Sequence, residues 1–454
     1  MTDSSKTFCV LPFIHIQVKP NGQIKPCCRF DFVHDDYIDK EWNLHKDSAY
    51  HTFNRYNISN GSTLTAAMSS DLWNDIRTKM LTGDRVSGCR KCYAEESSNG
   101  SSMRIHENHS RNDSIQDTLS DNLEPLKIKY LEMTFGNYCN LKCRTCAGDL
   151  SSTWHDEEVL LANFYPGRYS VPKVLNIPFN WKPEDFVNVE EIKFTGGEPM
   201  IHPDFLKLMD MLIDIDAAKN ISLDVFTNCS WIPRDKFFNR LNQFKQVKIS
   251  LSIDGIGVTN DYIRSPSKWS VVDEVADKWL TNESTHSDRV VTTWNPTINI
   301  YNILEIDKMI EWWEEKQNFH FPSKRWPNFI QNDFKESQPT PSFRLIFNLL
   351  HDPRYLCISN LPFSVKEVVS QKIISIQEKY NCMTVTENPR KESFKKKLEA
   401  ILGKLNSQAD SEMLNLFASY TADLDNLRNQ SIKDALPTLY DQLKSYVDFK
   451  GKLP

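Results

Sequence analysis

The chain has 454 residues, of which 40% are hydrophobic, 25% charged and 11% aromatic, with a formal net charge of −6. That length allows two or three domains and a sizeable core. The charge balance excludes the basic signature of a nucleic-acid binder, and no apolar run approaches the ~20 residues that a membrane span needs.

The N-terminus, MTDSSKTFCVLPF, lacks a basic start, an apolar stretch and a small-residue cleavage site. No signal peptide is expected, and a cytoplasmic, reducing location follows. There, 11 cysteines grouped by short spacings read as metal ligands or catalytic groups rather than disulfides.

In chain order, FIHIQVKPNGQIKPCC predicts two strands around the turn Pro20-Asn21-Gly22, because Asn-Gly is a strong hairpin signal. Residues 70–81 read as a helix. The Ser/Asn-rich stretch 98–122 reads as a linker. Strand candidates then follow at 127–135, 190–196, 222–227, 247–253, 289–295 and 343–350. Helical periodicity falls between them at 203–215, 269–280 and 304–316, with Pro203 suited to a first turn. Beyond residue 360 the pattern is helical, at 364–380, 393–405 and 411–427. The fold class expected is α/β: a partial (β/α)6 TIM-like barrel over 123–355. A small α+β cluster-binding domain with its linker precedes it at 1–122, and a helical region follows at 356–454.

The cysteines carry the chemistry. NYCNLKCRTC places Cys139, Cys143 and Cys146 directly after the strand LEMTF. Thiolates suit zinc or iron–sulfur clusters, and a closed structural zinc site takes four ligands. Three cysteines in one loop can hold three corners of a cubane and leave the fourth position open. Further motifs end later strands: GGEP at 196–199, TNCS at 227–230, SIDG at 252–255 and TWNPTIN at 293–299. Barrel enzymes keep their chemistry at such strand C-termini. Asn295 and Asn299 could line the site there. Upstream, Cys9, the pair Cys27-Cys28 and the CxxC of Cys89 and Cys92 offer a closed set of four. Spacing hardly separates zinc from a second 4Fe-4S cluster in that set.

Residues 127–350 resemble the radical S-adenosylmethionine (SAM) superfamily through these motifs in order. The resemblance implies a 4Fe-4S cluster on Cys139, Cys143 and Cys146, with SAM on its unique iron. It implies reductive cleavage of SAM to a 5′-deoxyadenosyl radical that abstracts hydrogen from substrate. An external electron donor such as flavodoxin or ferredoxin is implied with it. By the same match Gly196, Gly197, Glu198 and Pro199 contact SAM, and Asn228 and Ser252 reach its ribose or carboxylate. Asp254 orients neighbouring groups, and Arg264 pairs the SAM carboxylate, a task suited to a planar guanidinium. Two departures stand out: Thr145 where relatives often have an aromatic, and Cys229 where they have glycine. The upstream set resembles a twitch domain, the shortened relative of the SPASM domain. That implies an auxiliary cluster on Cys9, Cys27, Cys89 and Cys92, with Cys28 as the alternative to Cys27. Because SPASM and twitch enzymes often act on peptides, a peptide or protein substrate is expected. The rival readings are modification of a small metabolite, sugar or nucleotide, and a non-enzymatic iron–sulfur or zinc-binding protein. Cys229, Cys357 and Cys382 are expected to be buried structural thiols.

Overall fold

The computed structural model describes residues 6–31, 56–99, 102–111, 127–168, 172–177, 180–286, 288–322, 344–381 and 389–453. Cys382 lies outside them. The sheet strands are β1 (His15–Val18), β2 (Ile24–Lys25), β3 (Tyr130–Met133), β4 (Glu191–Phe194), β5 (Ser222–Thr227), β6 (Gln246–Leu251) and β7 (Val290–Trp294). They form one sheet in the order β2-β1-β3-β4-β5-β6-β7. Apart from the hairpin strand β2, this is the chain order. A sheet that adds each strand beside the last, with helices between, has the winding of a barrel rather than of a doubly wound sheet with a switch point.

By contact the chain divides into two units. The first comprises residues 1–138, 174–225 and 243–247. Its hairpin forms at the expected turn: β1 and β2 pair antiparallel with Val18 opposite Ile24, and Gly22 adopts φ 81°. A Cβ at Gly22 would stand 2.4 Å from Asn57 Oδ1, so glycine is required twice over. β1 also lies parallel to β3, with Ile16 opposite Leu131. The expected linker is partly structured. Residues Met103–Ser110 form a helix that Ser102 caps by accepting from Ile105 N. An apolar stripe does not hold it. Arg104 is buried, pairs with Glu96 at 2.6 Å and donates to Phe8 O at 2.7 Å. The predicted helix at 70–81 spans Asp71–Thr82, capped by Ser70 and ended by Gly83 at φ 87°.

The second unit comprises residues 139–173, 226–242 and 248–454. The expected helices appear as Trp269–Thr285 and Ile306–His320, while Pro203–Asp214 belongs to the first unit. The expected sixth strand is reduced. Its described part bridges Trp294 at Leu345 and then forms β9 (Asn348–Leu349), parallel to β8 (Thr297–Ile298). Ile346 N donates to Trp294 O and Asn348 N to Pro296 O, so this segment still runs alongside the continuation of β7. The C-terminal helices are Phe363–Asn381, Pro389–Leu405, Ser411–Arg428, Ile432–Ala435 and Pro437–Leu443. Phe417, Tyr420 and Leu424 face inward along one side of Ser411–Arg428. Among the described residues no helix is long and apolar enough to cross a membrane.

Candidate active site

The loop of Cys139, Cys143 and Cys146 is tied down by its backbone. Ser151 Oγ and Thr153 Oγ1 donate to Leu141 O at 2.6 and 2.8 Å. Trp154 Nε1 donates to Cys143 O at 3.0 Å, and Tyr420 Oη to Arg144 O at 2.9 Å. Arg168 Nη1 donates to Cys146 O at 2.5 Å. Lys142 N and Arg144 N donate to Ser265 O and Ile263 O, each at 2.7 Å. A loop without regular structure thereby satisfies its buried polar groups, as it must.

The sulfurs have their own donors. Leu141 N and Asn228 Nδ2 point at Cys139 Sγ at 3.5 and 3.7 Å, and Arg264 Nη1 at Cys143 Sγ at 3.7 Å. Burial pushes the Cys143 thiol up, and Arg264 opposes it. Cys146 is pushed well up by burial and then by Cys143 and Cys139, which places the three sulfurs within each other's field. Neutral thiols do not call for a guanidinium and an amide; anionic sulfur does. The donor set fits a thiolate-bound iron cluster. Among the described residues, no three Cys, His, Asp or Glu side chains converge as ligands of one ion.

Asn228 belongs to a small network that the sequence reading missed. It donates to Asn140 Oδ1 at 3.0 Å, and Asn140 Nδ2 donates to Ser230 Oγ at 2.8 Å. Asn140 sits next to Cys139, which was the available signal. Cys229 is fully buried with φ 57°, a left-handed backbone that favours glycine.

Asp254 and Arg264 are spent largely on each other. Arg264 Nε donates to Asp254 Oδ2 at 2.8 Å. Asp254 Oδ1 accepts from Thr297 N at 2.7 Å, and its side chain is fully buried. The pair therefore fixes where the Arg264 charge stands beside Cys143. Ser252 is half-buried, and its backbone N–H donates to Thr227 O at 2.8 Å. Thr145 is half-buried. Asn299 is fully buried and bonded locally, to Thr297 O and Tyr301 N. Asn295 Oδ1 accepts from Asn348 Nδ2.

The motif at 196–199 is built in the first unit. Gly196 and Gly197 have φ of 74° and 58°. A Cβ at Gly197 would lie 2.3 Å from Tyr138 O, and one at Gly196 2.9 Å from Thr134 Oγ1. Glu198 N donates to Tyr138 O at 2.8 Å, and Tyr138 is the residue before Cys139. Glu198 and Pro199 are buried, with Pro199 opening a short 3-10 turn to Ile201.

Upstream, Cys9, Cys27 and Cys89 pack into one cluster with Phe8, Phe13, Phe30 and Met103. Burial pushes all three thiols up. Cys9 feels Cys89 and Cys92, Cys27 feels Cys9 and its neighbour Cys28, and Cys89 feels Cys27 and Cys92. Cys28 Sγ instead meets Met103 Sδ at 3.6 Å, and its principal charged neighbours are Glu132 and Lys193. Cys357 is buried and donates to Leu350 O, as a structural thiol would.

Residues 133–292 match the family model of the radical SAM superfamily. A curated relative, GTP 3′,8-cyclase of Alkaliphilus oremlandii (strain OhILAs), is 22% identical over 130 residues, 29% of this chain. The aligned part is only 36% of that relative's length. Among solved structures, native anSMEcpe with bound AdoMet and Cp18Cys peptide aligns at 17% identity and a TM-score of 0.33, covering 57% of this chain and 63% of that one. Streptococcus suis SuiB bound to S-adenosylmethionine aligns at 13% identity and a TM-score of 0.27, over 47% and 42% of the two chains. Scores this low establish no shared fold across the whole chain. The cysteine loop, the motif at 196–199 and the Asp254–Arg264 pair all fall inside the matched segment. The matched segment, residues 133–292, is that of a radical SAM enzyme.

Proposed function

We propose that this chain cleaves SAM reductively and uses the resulting radical to abstract hydrogen from a peptide or protein. The carrying observation is the loop of Cys139, Cys143 and Cys146, with Asn228, Leu141 N and Arg264 aimed at two of its sulfurs. When bound, the 4Fe-4S cluster supplies one electron and an open iron position for SAM. Cys139, Cys143 and Cys146 hold the cluster. Gly196, Gly197, Glu198 and Pro199 provide a close backbone approach for the SAM amino group. Asn228 and Ser252 would reach its ribose or carboxylate. Asp254 orients Arg264, whose charge stands ready for the carboxylate.

Cys9, Cys27, Cys89 and Cys92 hold a second 4Fe-4S cluster in this reading. The packing of Cys27 with Cys9 and Cys89, and the separate contact of Cys28 with Met103, support Cys27 over Cys28 in that grouping. The upstream position of the set, in residues 1–122, marks a twitch-like region before the barrel of 123–355 and the helices of 356–454. Flavodoxin or ferredoxin would deliver the electron in the cytoplasm. The peptide assignment follows from the twitch-like cysteine set. A second reading, a nucleotide or another small metabolite, is favoured by the similarity to GTP 3′,8-cyclase.

The test is anaerobic reconstitution followed by assay with SAM and dithionite. About eight irons per chain are expected for two 4Fe-4S clusters. 5′-Deoxyadenosine should form with the native chain and be lost in Cys143→Ala. Zinc without iron, or no 5′-deoxyadenosine from a fully reconstituted chain, would refute the reading.

A further inference from the structure

A polar layer crosses one face of four neighbouring strands. Gln17, Glu132, Lys193 and Asp224 stand in direct register on β1, β3, β4 and β5. Two residues earlier on each strand come His15, Tyr130, Glu191 and Ser222, again in register. The residues between, Ile16, Leu131, Ile192 and Leu223, point the other way and are all buried. A barrel face that only filled a core would carry branched apolar side chains. This one carries acids, a lysine, a glutamine and a histidine.

Glu132 is the centre of the layer. Its Oε1 accepts from Gln17 Nε2 at 3.1 Å and from Thr195 Oγ1 at 3.4 Å, with Lys193 Nζ at 4.0 Å. Its Oε2 lies 4.0 Å from His15 Nε2. Geometry fixes the protonation of His15. Its Nδ1 is 2.8 Å from Pro26 O, which can only accept, so Nδ1 carries the proton and Nε2 presents a lone pair. Burial reinforces the neutral form and pulls the His15 pKa down to about 3. Gln17 donates through Nε2, so its Oε1 is likewise an acceptor. His15 Nε2 and Gln17 Oε1 are both buried without a hydrogen-bond partner, on side chains of residues only 0% and 9% exposed.

Two orphaned acceptors beside a carboxylate need donors, because buried polar groups left unpaired are costly. A primary ammonium answers three acceptors with three N–H groups and has no acceptor of its own. The layer opens toward Lys193, whose side chain keeps 25% of its exposure. Lys193 lies three residues before Gly196, and Glu132 seven before Cys139. The strands that carry the layer therefore run directly into the motifs that the SAM reading uses.

We propose that His15, Gln17 and Glu132 form a recognition site for a primary ammonium group on the substrate, with Lys193 and Asp224 at its rim. This rests on the radical SAM reading and narrows it to an amine-bearing substrate. The test uses the reconstituted full chain and saturation-transfer NMR with two probes of one size, n-butylammonium and butan-1-ol. Butylammonium should bind and butanol should not. Binding should weaken about ten-fold or more in Glu132→Gln and in Gln17→Leu, the second variant serving if the first fails to fold. Equal binding of both probes, or unchanged butylammonium binding in a folded variant, would overturn the proposal. So would a crystal structure with butylammonium in which a water alone bridges His15 Nε2 and Glu132 Oε2. Binding is read without turnover. A chain that forms no 5′-deoxyadenosine therefore refutes the radical reading and leaves the ammonium result to be judged by itself.

Discussion

Arg144 and Asp425 are 281 positions apart and form one ion pair: Arg144 Nη2 donates to Asp425 Oδ1 at 2.5 Å. Arg144 stands between two of the loop cysteines, and Asp425 lies on the helix Ser411–Arg428. The Arg144 guanidinium is fully buried over the Tyr262 ring, 3.6 Å from its centroid. Asp425 also accepts from Tyr262 Oη at 2.8 Å and from Ile432 N at 2.7 Å. A helix without catalytic residues of its own thus secures the cysteine loop. Asp425→Ala strands a buried cation and should cost about 3–5 kcal/mol by urea unfolding. Asp75→Ala, which removes the exposed partner of Lys79, should cost under about 1 kcal/mol. Equal effects from the two variants would show that the pair does not brace the loop.

His15 makes stability depend on pH. Its folded pKa is lowered from 6.5 to about 3, chiefly by burial. Between those values the unfolded chain binds a proton that the folded chain does not, so stability rises with pH across that window. It is fully present above 6.5 and is lost on acidification, by about 1.4 kcal/mol per pH unit for this group alone. Unfolding free energies between pH 7 and 5 should fall in the native chain and fall less in His15→Gln. The same slope in both would assign the acid sensitivity elsewhere.

The parts of this structure legible from sequence are those with local causes. Ser70 and Gly83 bracket a helix because each satisfies or releases backbone groups at its own position. Asn21-Gly22 makes a hairpin for the same kind of reason. The strands of the sheet and the order of their motifs were readable, since alternation and turn residues lie within a few positions. The helix Met103–Ser110 was not readable. Its support is the Arg104–Glu96 pair and a contact with Phe8, and its composition is that of a linker. The parallel pairing of β1 with β3 was equally hidden, because the partners lie more than 100 residues apart. Candidate site residues behave alike. Cysteine spacing singles out Cys139, Cys143 and Cys146 as candidates, whereas Asn140 and Asp425 enter only through contacts that folding creates.

Gly197 and Gly61 separate backbone strain from steric exclusion. Both have positive φ, 58° and 83°, so alanine is strained at both; at Gly61, with ψ 8°, the left-handed penalty is about 1–2 kcal/mol. A Cβ at Gly61 meets nothing within 4 Å, while one at Gly197 lies 2.3 Å from Tyr138 O. Gly61→Ala should lower stability by that penalty alone and keep its iron. Gly197→Ala should cost more and reduce iron retention, since Tyr138 must move and Cys139 follows it directly. Thermal melts with iron analysis decide this, and matching losses in the two variants would remove the steric argument.

Cys27 and Cys28 are neighbours in the chain with different surroundings. Cys27 packs with Cys9 and Cys89, while Cys28 faces Met103, Glu132 and Lys193. If the upstream set holds a cluster, Cys27→Ser should lose about four irons per chain and Cys28→Ser should lose none. The measurement is iron and sulfide per chain after anaerobic reconstitution, with the electron paramagnetic resonance spectrum of the reduced protein to show which cluster remains. Loss of iron from Cys28→Ser with retention in Cys27→Ser would transfer the ligand role to Cys28. Because Cys28 borders the layer around Glu132, its replacement should alter n-butylammonium binding more than that of Cys27. A serine at 28 therefore reads the layer, and one at 27 reads the cluster.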